Sequence, residues 1–234
     1  MHMAKEILKE YFKKPGTVEK WWKPEEEGKY RSCYIQQRLD VIKLSEAKGK
    51  SVLDVGTGRG RLAISFAFAE ATEVVAADIS REMINMAKKR SKEAGVADKI
   101  TLCVCDAERL PFKDESFNCI CCIQTFAHLP NPKEAMNELA RVCKTGGIIV
   151  ADAIAYGTLY RLLTKLYFST PRTLRRLAHI LWGKPLDRLE YHSVPVVNDY
   201  SRREFLSMFG RARLNIKHSL RYDIFLLVLA ERIH

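Results

Sequence analysis

Short apolar runs recur through the middle of the chain, each closed by a glycine or an acidic residue. SVLDVG (51–56), EVVAAD (73–78), ITLCVCD (100–106), FNCICCIQT (117–125) and GIIVADAI (147–154) are short and rich in β-branched residues, which predicts five strands. Between them the apolar positions shift to helical spacing. One helix is predicted over 61–69. A second starts after Ser80 as its cap and runs to about 94, where Gly95 ends it. A third starts at Asn131-Pro132-Lys133-Glu134, with Asn as cap, Pro at the first helical position and Glu three residues after the cap; it runs to about 143 and stops at Gly146-Gly147. Strands alternating with helices predict a parallel, doubly wound α/β sheet.

The end of the chain departs from this rhythm. Ser201-Arg202-Arg203-Glu204 is a capping box that opens a helix to about 209. NIKHSLRY (215–222) and IFLLVLAER (224–232) then follow with about one residue between them, too short for a parallel crossover, so they must form an antiparallel hairpin. The first 50 residues read as a helical region, with one helix over about 32–46.

The chain has 234 residues, of which 47% are hydrophobic, enough for one large core. No apolar run approaches the roughly 20 residues needed to span a bilayer. The charged amphipathic start is unlike a secretory signal, and with seven cysteines it points to a reducing, cytoplasmic setting. Cys103-x-Cys105 and Cys119-x-Cys121-Cys122 could be read as metal ligands, but neither is a CxxC pair. They fall in strands predicted to lie three spacings apart, roughly 14 Å, so they read as core residues and no metal site is expected.

The net charge of +11 implies an anionic partner or surface. It is concentrated in 157–185, which holds Arg161, Lys165, Arg172, Arg175, Arg176 and Lys184 and no acidic residue. Thr158 and Pro171 can start two amphipathic helices there. Three readings stay open for this inserted cap: a lid over the substrate mouth, an amphipathic element on an anionic membrane surface, and a contact surface for RNA.

The chemistry concentrates at Asp54-Val55-Gly56-Thr57-Gly58-Arg59-Gly60, where a strand ends in a carboxylate and a glycine at every second position opens a helix. Such a loop lets a ligand approach the main chain. The spacing is G-x-G-x-G, with Arg61 where a dinucleotide fingerprint has its last glycine, which disfavours a nicotinamide-dependent oxidoreductase.

This segment resembles motif I of the class I S-adenosylmethionine-dependent methyltransferases, in particular the type 11 group that includes quinone-biosynthesis enzymes. Leu110-Pro111-Phe112 with Asp114, Ser116 and Phe117, then Gln124 to Leu129, then Arg141-Val142-Cys143-Lys144-Thr145-Gly146-Gly147, resemble its later motifs in order; Asn118 and Thr145 stand where the family has Asp and Pro. The resemblance implies a mostly parallel, seven-stranded Rossmann-like sheet ending in an antiparallel hairpin, with the core in 51–156 and 186–234, a lid region in 1–50 and a basic cap in 157–185. It implies S-adenosyl-L-methionine as cofactor and S-adenosyl-L-homocysteine as product.

It further implies that Asp54, Gly56, Thr57, Gly58 and Gly60 form the cofactor loop. Asp78 would hold the ribose, Ile79 and Met83 would pack on the adenine, and Asp106-Ala107 would read its amino group. Gln124 would close over the methionine part, and one of Tyr30, Tyr34 and Arg38 would meet its carboxylate. Methyl transfer needs a general base only where the acceptor loses a proton; His128 and His192 are the candidates, each with ordinary packing as the alternative. The expected activity is transfer to a small-molecule or lipid-like acceptor. An RNA methyltransferase is the second expectation, with an oxidoreductase or a non-catalytic cofactor-binding domain behind it.

Overall fold

The structure, a computed structural model, describes residues 31–155, 198, 200–222 and 225–233, together with 5, 6, 10 and 11. In chain order the elements are α1 (Arg31–Ser45), β1 (Ser51–Val55), α2 (Arg61–Phe68), β2 (Glu73–Asp78), α3 (Arg81–Glu93), β3 (Ile100–Val104) and β4 (Phe117–Cys122), followed by α4 (Pro132–Val142), β5 (Cys143–Ile154), α5 (Arg202–Arg211), β6 (Leu214–Tyr222) and β7 (Phe225–Arg232). The basic segment 157–185 and its three readings lie outside the described residues.

The seven strands form one sheet in the order β3-β2-β1-β4-β5-β7-β6. β1 to β5 pair in parallel, and β7 runs antiparallel to both β5 and β6. Parallel strands are buried on both faces, and the residues divide accordingly. Leu53 and Val55 of β1 join one apolar cluster with α4 and α5; Val52 joins the other with α1 and α2. Asp54 and, on β5, Asp152 point to the second face, each a carboxylate among aliphatic neighbours. The chain reverses its direction of travel across the sheet between β1 and β4, and the carboxyl ends of strands at such a point form a natural crevice.

Two helix starts are as expected. The Ser80 hydroxyl accepts the Met83 N–H at 3.3 Å, and Ser201 and Glu204 make the reciprocal capping box at 3.1 and 2.7 Å. Asn131 differs: its side chain leaves the helix end and, with its own N–H, binds the Glu108 carboxylate at 2.9 and 2.6 Å. A charged acceptor outside the helix outcompetes the capping geometry.

Several boundaries shift as well. β3 ends at Val104 and β4 at Cys122, short of the predicted ends, because the chain turns there into the crevice. β5 begins at Cys143, immediately after α4, and not at Gly147. Its register slips between Phe117↔Cys143 and Cys119↔Ile148, so the glycines lie inside a bulge. Gly146 sits at φ 74, and a Cβ on Gly147 would come within 2.7 Å of Cys143 Sγ and the Lys144 carbonyl. The glycines let the strand bulge and do not stop the helix. In the hairpin Tyr222 pairs with Phe225, a two-residue connection.

The segment after β4 is fixed by residues some 70 positions further along the chain. Asn198 donates its N–H to Ala127 O at 2.7 Å and its amide to Leu129 O at 2.6 Å, and the Tyr200 hydroxyl donates to Phe126 O at 2.9 Å. Phe126, Phe205 and Phe209 stack edge to face with centroids 5.3 Å apart, each pair contributing about 0.5–1.5 kcal/mol beyond its buried area.

Candidate cofactor site

The loop after β1 is built on left-handed glycines: Gly56 at φ 71, Gly58 at φ 53 and Gly60 at φ 78. The Gly56 and Thr57 N–H groups both donate to Ala77 O, at 2.8 and 2.9 Å, which ties the loop to the end of β2. Asp54 is buried beneath it. One carboxylate oxygen accepts the Thr57 hydroxyl at 2.6 Å and the Ala63 N–H, in the first turn of α2, at 3.1 Å. Burial pushes its pKa up to about 6, against the pull of the Thr57 hydroxyl, the Arg61 charge and the Ala63 N–H. Asp54 therefore shapes the loop from below and does not face the crevice.

Asp78 does face it. Gly58 N–H donates to one oxygen and Ser80 N–H to the other, both at 2.9 Å. Desolvation raises its pKa, and the Ser80, Gly58 and Ile79 N–H groups oppose that rise. Each carboxylate oxygen can accept a second bond, so Asp78 is held as a preset pair of acceptors.

Gly56, Gly58, Asp78, Ile79, Met83, Asp106, Ala107, Gln124 and His128 line a single cleft of about 1020 Å³, part of it open to solvent. Val55, Cys105, Ile123, Leu129 and Pro130 complete its mostly apolar walls. Thr57 and Gly60 support the loop from outside this lining. Tyr34 packs its ring on Phe225 at 5.9 Å, and Arg38 donates to the Ser65 hydroxyl at 3.3 Å, so neither stands at the cleft. Tyr30 and His192 lie outside the described residues. Lys5, which sequence reading passed over, bridges the Asp106 and Glu108 carboxylates at 2.5 and 2.6 Å.

Other contacts were equally hidden. Arg141 binds Glu138, Asp114 and the carbonyls of Leu110 and Phe112, and so staples the LPF segment to α4. Asn118 accepts the Ser51 hydroxyl at 2.8 Å and Lys144 at 3.2 Å at the opposite end of the sheet from the cleft. Gln37 of α1 and Gln124 both bind the fully buried Asp152, whose pKa burial raises to about 6. The available signal was an aspartate inside the apolar run GIIVADAI. Among the described residues no group of three His, Cys, Asp or Glu is placed to hold a metal ion, and no helix is long and apolar enough to cross a membrane.

A seven-stranded sheet of this order, with a glycine loop and an acidic residue at the ends of adjacent strands, defines an α/β nucleotide-type cofactor domain. Residues 53–151 match the type 11 family described as "Methyltransferase domain". The chain is 35% identical over 158 residues to methyltransferase GfsG of Streptomyces halstedii, covering 66% of this chain and 55% of that protein. It is 33% identical over 130 residues to the ubiquinone/menaquinone biosynthesis C-methyltransferase UbiE of Pseudomonas entomophila, covering 54% and 50%. The chain thus spans about half the length of the curated relatives it matches.

Magnesium protoporphyrin IX methyltransferase from Synechocystis PCC 6803, solved with S-adenosylhomocysteine bound, has the same fold at TM-score 0.73 and 19% identity, covering 98% of this chain and 99% of that one. So has the [4+2]-cyclase SpnF, at TM-score 0.68 and 14% identity, covering 91% and 85%. The match over 53–151, the relatives and the shared fold support a class I S-adenosylmethionine-dependent methyltransferase. The cyclase shares the fold, so the reaction has to be argued from the site.

Proposed function

We propose that this protein transfers a methyl group from S-adenosyl-L-methionine to a small-molecule or lipid-like acceptor by in-line displacement. The observation that carries this reading is Asp78, whose carboxylate is held by backbone N–H groups, Gly58 on one oxygen and Ser80 on the other, at the wall of a glycine-lined cleft. That arrangement suits the paired hydroxyls of a ribose. Apolar Ile79 and Met83 suit an adenine face, Asp106-Ala107 its amino edge, and the Cβ-free Gly56 and Gly58 the methionine part. The relatives named for quinone biosynthesis support an apolar acceptor.

When bound, the cofactor supplies an electrophilic methyl carbon. The chain's share is to position the acceptor and exclude water, which can provide most of the rate of such a reaction. His128 stands in the cleft wall beside Gln124, where it can take a proton from an acceptor that loses one.

Titration calorimetry on the folded protein tests this reading. S-adenosylmethionine and S-adenosylhomocysteine should bind and NAD should not. Asp78→Ala should weaken S-adenosylhomocysteine about ten- to hundredfold, the scale of about 1.5–3 kcal/mol for hydrogen bonds to a charged group. Absence of heat with either sulfur nucleotide, or an unchanged affinity in the variant, contradicts it.

A further inference from the structure

Gln124 stands in the wall of the cofactor cleft with its backbone at φ 58, a conformation that a residue other than glycine holds only where its surroundings impose it. The group that imposes it is Asp152. Its Oδ1 accepts the Gln124 N–H at 2.5 Å and its Oδ2 accepts the Gln37 amide at 2.6 Å, while the Gln124 amide donates to Gln37 Oε1 at 3.2 Å. These bonds close a ring that joins β5, the turn after β4 and α1.

Asp152 is fully buried, and a buried carboxylate is costly unless it is hydrogen-bonded. Burial raises its pKa to about 6, against the pull of the Gln124 N–H, the Gln37 amide and the Arg61 charge. An aliphatic side chain would fill the same face of the sheet without that cost. What the carboxylate adds therefore lies in the two residues it holds. Neither Asp152 nor Gln37 lines the cofactor cleft; both reach it through Gln124. The direction of the bonds is forced, because an ionised carboxylate only accepts. Gln37 gives its NH₂ to Asp152 and its oxygen to Gln124, and Gln124 gives its NH₂ to Gln37. Both the backbone and the side chain of Gln124 are thus set from behind the cleft wall.

We propose that Asp152 is a positioning residue for the methionine end of the cofactor: with Gln37 it holds Gln124 in its left-handed conformation, so that this part of the cleft keeps its shape only while α1 is seated. The inference rests on the cofactor reading above, in which Gln124 closes over the methionine part and Asp78, Ile79, Met83 and Asp106 hold the nucleoside. That division makes the consequence specific to one half of the ligand. Disturbing the ring loosens the amino-acid half and leaves the nucleoside half as it was.

Titration calorimetry tests this with two ligands, S-adenosylhomocysteine and 5′-methylthioadenosine, which has the same nucleoside and sulfur but no amino-acid part. Asp152→Ala should weaken S-adenosylhomocysteine about tenfold, the scale of one or two hydrogen bonds, and leave 5′-methylthioadenosine within a few-fold. Gln37→Met, a change in a helix that does not line the cleft, should show the same split between the ligands. Asp152→Asn should recover most of the loss, because the ring can reform. The new side-chain oxygen accepts from the Gln124 N–H, the new amide donates to Gln37, and Gln37 donates to Gln124 Oε1. Equal weakening of both ligands in Asp152→Ala and Gln37→Met would mean that the ring only supports the fold, and overturns the proposal. So does an unchanged S-adenosylhomocysteine affinity in either variant. A loss in Asp152→Asn as large as in Asp152→Ala assigns the effect to the charge and also overturns it. Should Asp152→Ala fail to fold, Gln37→Met carries the same comparison. If neither ligand binds the wild type, the cofactor reading fails and this proposal with it.

Discussion

Single residues carry most of the chemistry, and they differ in how far sequence exposes them. Asp78 and Gly58 were legible because their positions follow from local order: a strand, its terminal acid and a glycine-spaced loop. Asp152 and Gln37 were not, because their bond spans 115 residues and hydrophobic periodicity reports only on neighbours along the chain. Asp54 was legible as a motif residue, but its task was not. It faces into the protein, and its raised pKa has a consequence for stability. The ordinary value is 3.8 and the folded one about 6. Between them the folded state keeps a proton that the unfolded chain has released. Stability from this group is therefore greatest at low pH, falls as pH rises through that window, and stays at its lower level above it. The whole span corresponds to about 3 kcal/mol. In Asp54→Asn the amide oxygen can still accept from Thr57 and Ala63, and the titration is gone. Urea unfolding at several pH values from 4 to 7 should show wild type losing stability relative to the variant as pH rises. Parallel curves would mean that Asp54 does not titrate as described.

Among elements, the loop between β1 and α2 shows how closely two motifs depend on each other. A Cβ on Gly56 would lie 2.0 Å from Thr125 Oγ1 and 2.7 Å from its Cγ2, and Gly56 is at φ 71. Gly56→Ala should therefore lower stability by about 1–3 kcal/mol and weaken S-adenosylhomocysteine. Adding Thr125→Ala should restore part of both, because the Oγ1 and Cγ2 contacts disappear while the backbone strain remains. A double variant no better than the single one would place the cost in the backbone alone. Sequence reading placed all seven described strands, yet it misplaced the start of β5, since the bulge at Gly146-Gly147 exists only against β4. It placed Asn131 at the N-cap, as observed, but not the partner of its side chain, Glu108, which lies 23 residues away.

At the scale of the molecule, the fold class and the closing hairpin were both legible, because alternation and a short link permit few topologies. The lid and cap regions were named from the family resemblance, charge and helix-start signals, and the cap lies outside the described residues. Among the described residues, those that line the cleft all lie between Val55 and Pro130. Replacing residues 159–182 by a short Gly/Ser linker should accordingly leave S-adenosylhomocysteine affinity within a few-fold; a complete loss would put that segment in the cofactor site. The sheet order has one more consequence, for the route by which the chain reaches this structure. β6 precedes β7 in the chain but touches the sheet only through it, so β6 has no place to bind until β7 has returned beside it. The two must arrive as a preformed hairpin or in reversed order. Until they do, β5 keeps an unpaired edge along Ile148 to Ile154, the kind of template on which a second unfolded chain can grow.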